Sequence, residues 1–255
     1  MADREPTIVI ASDAAEAGRR AAESFIDVLN DNVEAGRERH FIALAGGSTP
    51  EVCYRALTES PLRDRFDPAG VEWFFSDERC VPPDHPDSNF GLARRSLLAP
   101  LGVASDRIHR MPADEDDLTS AAAHYEHMVR SRVPIGSNGL PAFDVIFLGL
   151  GADGHTASLF PGSPALGERH HLVKAHRIES HGAWRMTMTF PLLWAARRLF
   201  VLATGANKAE AVAAVLLPGS DANRWPAATL REGSSAVTWF LDADVARLVE
   251  RHRPT

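Results

Sequence analysis

The chain has 255 residues, a formal net charge of −7 at pH 7 and 45% hydrophobic residues. A chain of this length can bury a full core, and its acidic balance argues against a nucleic-acid partner, which needs a basic face. A small anionic substrate is compatible with that balance, because a local cluster of Arg and Lys can bind one. The two cysteines, Cys53 and Cys80, exclude a disulfide framework and a cysteine zinc site, and favour a reducing compartment.

The apolar runs are all too short to cross a bilayer. The first of them, 7–11, is also too short for the core of a signal peptide. We therefore expect a soluble cytoplasmic protein with no membrane partner.

Short apolar runs alternate with amphipathic stretches along the chain. The runs predict strands because they are short and rich in β-branched and aromatic residues; they are 7–11, 40–45, 71–75, 143–148, 172–175, 186–190, 198–204 and 235–241. Apolar residues at helical spacing predict helices over 14–32 (with Asp13 as N-cap), 51–58, 89–98, 118–133, 207–217 and 242–252. This alternation predicts a three-layer α/β/α fold with a mostly parallel, Rossmann-like sheet covered on both faces. No long linker interrupts it, so we expect one domain over residues 1–255.

Four of the predicted strands end in residues suited to chemistry: 46–49, 77–79, 151–155 and 205–208. The carboxyl ends of parallel strands meet at one edge of a sheet, where open α/β folds bind ligands. We therefore expect these four segments to converge although they are far apart in sequence.

The segment Gly46-Gly47-Ser48-Thr49 has the composition of an anion cradle, with glycines before a helix N-terminus and two hydroxyl donors. The alternative is an ordinary tight turn from strand to helix, and the residues alone leave both interpretations open. The segment has neither the Gly-Lys-Ser/Thr of a Walker loop nor the glycine spacing of dinucleotide binders.

His155 is the best candidate for a general base, because the unperturbed pKa of histidine, about 6.5, lies near neutrality. The other histidines, including His170, His171, His176 and His181, have polar neighbours in sequence, and we expect them at the surface. The sequence lacks the His-Glu-x-x-His pattern of zinc hydrolases and the Gly-x-Ser-x-Gly elbow of serine hydrolases.

The charged residues near these strand ends have two interpretations each. Asp77 and Asp153 are either chemical groups or caps of turns. Lys208 is either a solvent-facing lysine or a cation reaching an anion in the crevice. Arg79 either pairs with a neighbouring carboxylate or binds substrate, and Arg185 is either a rim charge or a ligand.

Four short motifs, in this order, resemble the 6-phosphogluconolactonase family, whose members hydrolyse 6-phospho-D-glucono-1,5-lactone in the pentose phosphate pathway. They are LAGGSTP at 44–50, SDERCVP at 76–82, SN at 88–89 and GLGADGHTASLFP at 149–161, and the resemblance continues through 185–208.

The resemblance implies that His155 activates water, with Asp77 and Asp153 nearby. It implies a sugar-phosphate site formed by Gly46, Gly47, Ser48, Thr49, Arg79, Asn89, Gly151, Gly154 and Lys208, with Arg185 a weaker candidate. It implies a small sugar-phosphate lactone as substrate, no cofactor, no metal, and a monomer or weak homo-oligomer.

Two alternatives use the same superfamily. Aminosugar-phosphate isomerases (deaminases) have a glutamate five residues after the histidine, where this chain has Phe160; a phenylalanine cannot relay protons, so the resemblance favours the lactonase. A non-catalytic sugar-phosphate sensor of a transcription regulator would carry a helix-turn-helix segment, and we expect no room for one before the first strand at Thr7.

Overall fold

Six parallel strands form the main sheet of the computed structural model, which describes residues 5–217, 219–233 and 235–250. In chain order they are β1 (Thr7–Ala11), β2 (His40–Leu44), β3 (Val71–Phe75), β5 (Val145–Gly149), β8 (Arg198–Ala203) and β9 (Ala236–Asp242). Their order in space is β1-β9-β8-β5-β2-β3. Every residue of β2 and β3 is buried, as are the first four of β5. This confirms the predicted Rossmann-like sheet covered on both faces.

Helices connect the parallel strands and cover the sheet. They are α1 (Ala14–Glu34), α2 (Ser48–Ala56), α3 (Asn89–Ala93, continued by a π-helical turn over Arg94–Leu98), α4 (Leu118–Arg132), α5 (Phe190–Ala195), α6 (Ala209–Leu216) and α7 (Ala243–Glu250). The β1–α1–β2 and β8–α6–β9 crossovers run in opposite directions along the sheet. Because such crossovers are right-handed, α1 and α6 lie on opposite faces, which gives the three layers.

The predicted start of α1 is confirmed, whereas the predicted start of α2 is wrong. The Asp13 carboxylate accepts a hydrogen bond from Glu16 N at 2.8 Å and caps α1, as predicted. The helix predicted from residue 51 begins at Ser48 instead, so Ser48 and Thr49 lie in its first turn. The end of the last predicted helix, residues 251–252, lies outside the described residues.

A second sheet, antiparallel and three-stranded, was not predicted. It consists of β4 (Asp77–Arg79), β7 (Ala183–Met188) and β6 (Val173–Ile178), in that spatial order. Residues 77–79, predicted as the end of the parallel strand 71–75, instead form a separate strand of this antiparallel sheet. Three polar residues carry no apolar run, and β4 is a strand only because it pairs with β7. Ser76 joins the sheets: its N donates to Leu44 O, and its O accepts from Met188 N, both at 2.8 Å.

A charge network lies beside the start of β3, around the buried carboxylate of Glu72. The Glu72 carboxylate on β3 is 3% exposed and lies 2.6 Å from both His109 Nε2 and Arg107 Nη1. Arg39 Nη1 is 3.3 Å from the same carboxylate. Burial opposes ionisation of Glu72, but the hydrogen bonds from His109 and Arg107 outweigh it, and the pKa of Glu72 is lowered.

Candidate active site

A pocket of about 240 Å³ lies beyond the carboxyl ends of β2 and β5. These neighbouring strands are the point where the order of the sheet reverses, since β3 lies to one side and β8 and β9 to the other. Connections leave such a point in opposite directions and open a crevice between them. The lining includes residues of all four segments predicted to converge: Gly46, Gly47, Ser48, Thr49, Asp77, Arg79, Gly151, His155 and Lys208. It also includes Asn89, Ala45, Pro50, Gly149, Leu150 and Ala157.

The glycine turn leads directly into a helix N-terminus at the pocket. Gly47 has φ +100°, in the left-handed region that favours glycine, and α2 begins at Ser48. In the described part of the chain no side chain caps this end of α2, so its first amides are available to a bound anion. Thr49 is buried, and its Oγ1 lies 3.0 Å from Thr204 Oγ1, which ties the β2 turn to the end of β8.

Asp77 lines the pocket with its carboxylate already hydrogen-bonded on both oxygens. Ser158 Oγ donates to Oδ2 at 2.7 Å, and Asn89 Nδ2 donates to Oδ1 at 3.1 Å and to the Asp77 carbonyl at 2.9 Å. Among the described residues Asp77 makes no hydrogen bond to His155. Asp77 and His155 therefore line one pocket without being hydrogen-bonded to each other.

Glu78, to which the sequence assigned no role of its own, holds Asn89 in place. Its buried carboxylate accepts hydrogen bonds from Asn89 N (2.7 Å), Phe90 N (2.8 Å) and Ser88 Oγ (3.1 Å). Burial outweighs these donors, so the pKa of Glu78 is raised. The carboxyl thus anchors the start of α3, which carries the amide that contacts Asp77.

Asp153 and His155 form the bonded pair of the site. His155 Nδ1 lies 2.6 Å from Asp153 Oδ1, and the two side chains are 28% and 45% exposed, His155 first. Burial opposes ionisation of Asp153, but the hydrogen bond and the charge of His155 outweigh it and lower the pKa of the carboxyl. A carboxylate at Nδ1 holds a proton on that atom, which leaves Nε2 as the basic nitrogen. No described residue hydrogen-bonds to Nε2.

Two glycines shape the loop that carries this pair. Gly151 N donates to His155 O at 2.9 Å, and a Cβ on Gly151 would lie 2.1 Å from His155 Nδ1. Gly154 has φ +80°, and a Cβ there would lie 2.5 Å from the Trp225 ring. Gly154 and Asp153 shape and hold the loop, but they do not line the pocket.

Two cations, Lys208 and Arg79, line the pocket, and a third, Arg185, lies beside Arg79 on the neighbouring strand. Lys208 is half-buried, and burial outweighs the attraction of Asp242, so the pKa of its ammonium is lowered. Arg79 donates to Asp87 O at 2.8 Å. Arg185 is the cross-strand neighbour of Arg79 and does not line the pocket; burial and then the charge of Arg79 lower its pKa. In the described residues none of the three forms an ion pair with a carboxylate.

The surface assignment is wrong for His40 and His109, which are buried, and for His176. His176 is 4% exposed, with Nε2 2.9 Å from Ser158 O. Its position on β6 turns it inward although its sequence neighbours are polar. His170, His171 and His181 are exposed, as predicted.

Two absences hold for the part of the chain that the structure describes. No three His, Cys, Asp or Glu side chains gather there as a set of metal ligands. None of its helices is both long and apolar enough to span a membrane.

Comparisons of the sequence and of the structure with known proteins point to one family. The family model described as glucosamine-6-phosphate isomerases/6-phosphogluconolactonase matches residues 12–239. A 6-phosphogluconolactonase of Synechocystis is 37% identical over 82% of this chain and 84% of its own length. One from Streptomyces coelicolor is 32% identical over 96% of this chain and 95% of its own length. The solved 6-phosphogluconolactonase of Trypanosoma brucei superimposes with a TM-score of 0.82 at 30% identity, over 95% of this chain and 98% of that one.

Proposed function

The chain belongs to the family of glucosamine-6-phosphate isomerases and 6-phosphogluconolactonases, and on that premise we propose that it hydrolyses 6-phospho-D-glucono-1,5-lactone to 6-phospho-D-gluconate. Its curated relatives identify it as an enzyme of the hydrolase class. We propose further that the reaction needs no metal, and that it serves the oxidative pentose phosphate pathway in the cytoplasm.

One observation carries the mechanism: His155 is held at Nδ1 by Asp153, and its ring lines the pocket. A δ-lactone is an activated ester, so its hydrolysis requires a positioned water, a base and stabilisation of the oxyanion. His155 Nε2 removes a proton from water as the water oxygen attacks the C1 carbonyl. The C1–ring oxygen bond then breaks, and the imidazolium returns its proton to the departing ring oxygen.

The oxyanion and the phosphate require two sets of donors. The backbone N–H groups at the start of α2 can stabilise the tetrahedral oxyanion, because they are fixed before reaction and carry the positive end of the helix dipole. Lys208 and Arg79 supply cations that lack a carboxylate partner in the described residues, and Arg185 adds positive charge beside Arg79. A phosphate bound by these cations is remote from C1 and orients the lactone for attack. Asp77 is then available to a sugar hydroxyl.

The test is an assay with freshly generated 6-phosphogluconolactone, corrected for spontaneous hydrolysis, beside the unphosphorylated lactone. We expect kcat/KM to be at least about a hundredfold higher for the phosphorylated lactone, and Lys208→Met to remove most of that preference. A chelator in the assay should leave the rate unchanged. Equal rates on both lactones would contradict the phosphate role, and turnover of glucosamine-6-phosphate instead would favour the isomerase alternative.

A further inference from the structure

The Asp153 hydrogen bond constrains only one edge of the His155 ring. Both hydrogen bonds to Asp153, from the ring and from the His155 backbone N at 3.2 Å, use the same oxygen, Oδ1. A ring held at a single nitrogen can still tilt about that bond. General base catalysis depends on the direction of Nε2, so a second constraint on the ring plane would matter to the rate.

Phe160 supplies a flat surface against the His155 ring. The two ring centroids are 3.9 Å apart and the planes are 20° from parallel. Phe160 is 6% exposed, and the ring of His181 also contacts it, with centroids 5.0 Å apart and planes at 57°. The imidazole therefore lies against a buried aromatic face that is itself contacted by a second ring.

A tight turn brings Phe160 back over His155. Leu159 N donates to Thr156 O at 2.9 Å, and Thr156 Oγ1 anchors the turn to Gly149 O at the same distance. Ala157, within the turn, has φ +47°, a conformation that is unfavourable for a residue with a Cβ. Strain of this kind persists only where surrounding contacts fix the chain. The turn therefore sets the position of Phe160 relative to the ring that it covers.

We propose that Phe160 is a positioning residue for the reaction: its face fixes the plane of the His155 imidazole and directs Nε2 into the pocket. An aromatic face also attracts a cation, so it favours the imidazolium that forms once His155 has taken the proton from water. The inference rests on the proposed hydrolysis by His155. The contact between the two rings is observed independently of that proposal.

The kinetic test compares Phe160→Leu, which removes the aromatic face, with Phe160→Tyr, which retains it. His181→Ala is the matched control, because it removes another ring that contacts Phe160 and leaves the His155–Phe160 pair in place. We expect Phe160→Leu to lower kcat by about tenfold with KM unchanged within about twofold. The tyrosine variant should recover kcat to within about threefold, and His181→Ala should stay within about twofold. A leucine variant with normal kcat, or one whose loss is entirely in KM, would overturn the proposal.

A second measurement does not depend on the substrate or on the stability of the leucine variant. NMR relaxation of the His155 ring carbons, assigned by their loss in His155→Ala, reports ring order in the unliganded protein. We expect a ring as ordered as buried His109 in the native protein and in Phe160→Tyr, and a mobile ring in Phe160→Leu or, if that variant does not fold, in Phe160→Met. A mobile ring in the native protein would overturn the proposal without any variant. Failure of the proposed function would appear separately, as a native protein that does not hydrolyse the lactone.

Discussion

Two histidine–carboxylate pairs with equal contact distances lie at opposite ends of the strands of the main sheet. Asp153–His155 follows β5 at the pocket, and Glu72–His109 lies beside the first residues of β3; both are joined at 2.6 Å. The second pair is closed, because both side chains are at most 6% exposed and Arg107 and Arg39 complete the coordination of Glu72. The first is open, with one carboxylate oxygen on Nδ1 and a ring that lines the pocket.

The difference shows that the surroundings, rather than the pair, decide what a histidine and a carboxylate do. Around Glu72 the cations neutralise a buried charge and leave no route for a substrate, so the pair contributes to folding. At Asp153 one partner fixes the tautomer and the rest of the ring remains available for chemistry.

Asp153→Asn should have the largest effect that a single isosteric change can produce on the open pair. The amide would turn its NH2 or its oxygen toward Nδ1 with no charge, so the tautomer with a basic Nε2 loses its preference. We expect kcat to fall by at least about a hundredfold, with the free energy of unfolding changed by less than about 1 kcal/mol because the side chain is exposed. Steady-state kinetics and urea denaturation measure the two quantities. A fall in stability without a fall in kcat would show that the Asp153–His155 pair stabilises the fold and does not take part in the reaction.

Glu72→Gln should have the opposite effect on the closed pair. Removing the carboxylate charge leaves the buried His109 without its partner and unpairs the partly exposed Arg107, so we expect a loss of about 3 kcal/mol of unfolding free energy at pH 7 and unchanged kcat per folded molecule. Urea denaturation beside the lactone assay tests this. A variant as stable as the native protein would show that the network is not needed for folding.

The stability difference between Glu72→Gln and the native protein should depend on pH. The folded-state pKa of Glu72 lies below its ordinary value of 4.5, so the native state binds the proton less readily than the unfolded state. The contribution is therefore complete above the ordinary value and is lost as pH falls through the folded-state pKa. We expect the two unfolding curves to converge at acid pH; a constant difference from pH 7 downward would contradict the charge argument.

Gly46→Ala should have a smaller effect that acts through the Asp77 side of the pocket. A Cβ on Gly46 would lie 1.7 Å from Asn89 Oδ1, so Asn89 must move and its contact with Asp77 must change. Gly167→Ala is the matched control, since a Cβ there meets nothing within 4 Å and the residue does not line the pocket. We expect kcat/KM to fall about tenfold in the first and less than about twofold in the second. Equal rates in the two variants would show that the Gly46–Asn89–Asp77 contact does not affect the reaction.

The sequence predicted the parts of the molecule that depend on local pattern. Apolar runs identified the central strands, and the strand-end rule brought residues 46, 77, 155 and 208 together correctly. Prediction from the sequence failed where pairing between strands, rather than the local residue pattern, decides the structure. The three polar residues of β4 form a strand only against β7, and His176 is buried by its position on β6. Glu78 and Glu72 were missed because a buried carboxylate is recognisable only from the donors that surround it.

Phe160 illustrates the same limit within the site. In the sequence, a phenylalanine at this position indicates only that a proton-transfer group is absent. Its contact with His155 depends on a turn that contains a non-glycine residue at positive φ. No sequence pattern predicts that a residue five positions away folds back over the base.

The central claim is that His155 is the base and that the equally short pair at Glu72 is structural. Kinetics and urea denaturation of His155→Ala beside His109→Ala test it most directly. We expect His155→Ala to lose about a thousandfold in kcat with its unfolding free energy unchanged within about 1 kcal/mol. We expect His109→Ala to lose about 3 kcal/mol of unfolding free energy with kcat per folded molecule retained. A His155→Ala protein that hydrolyses the lactone within about tenfold of the native rate would contradict the account.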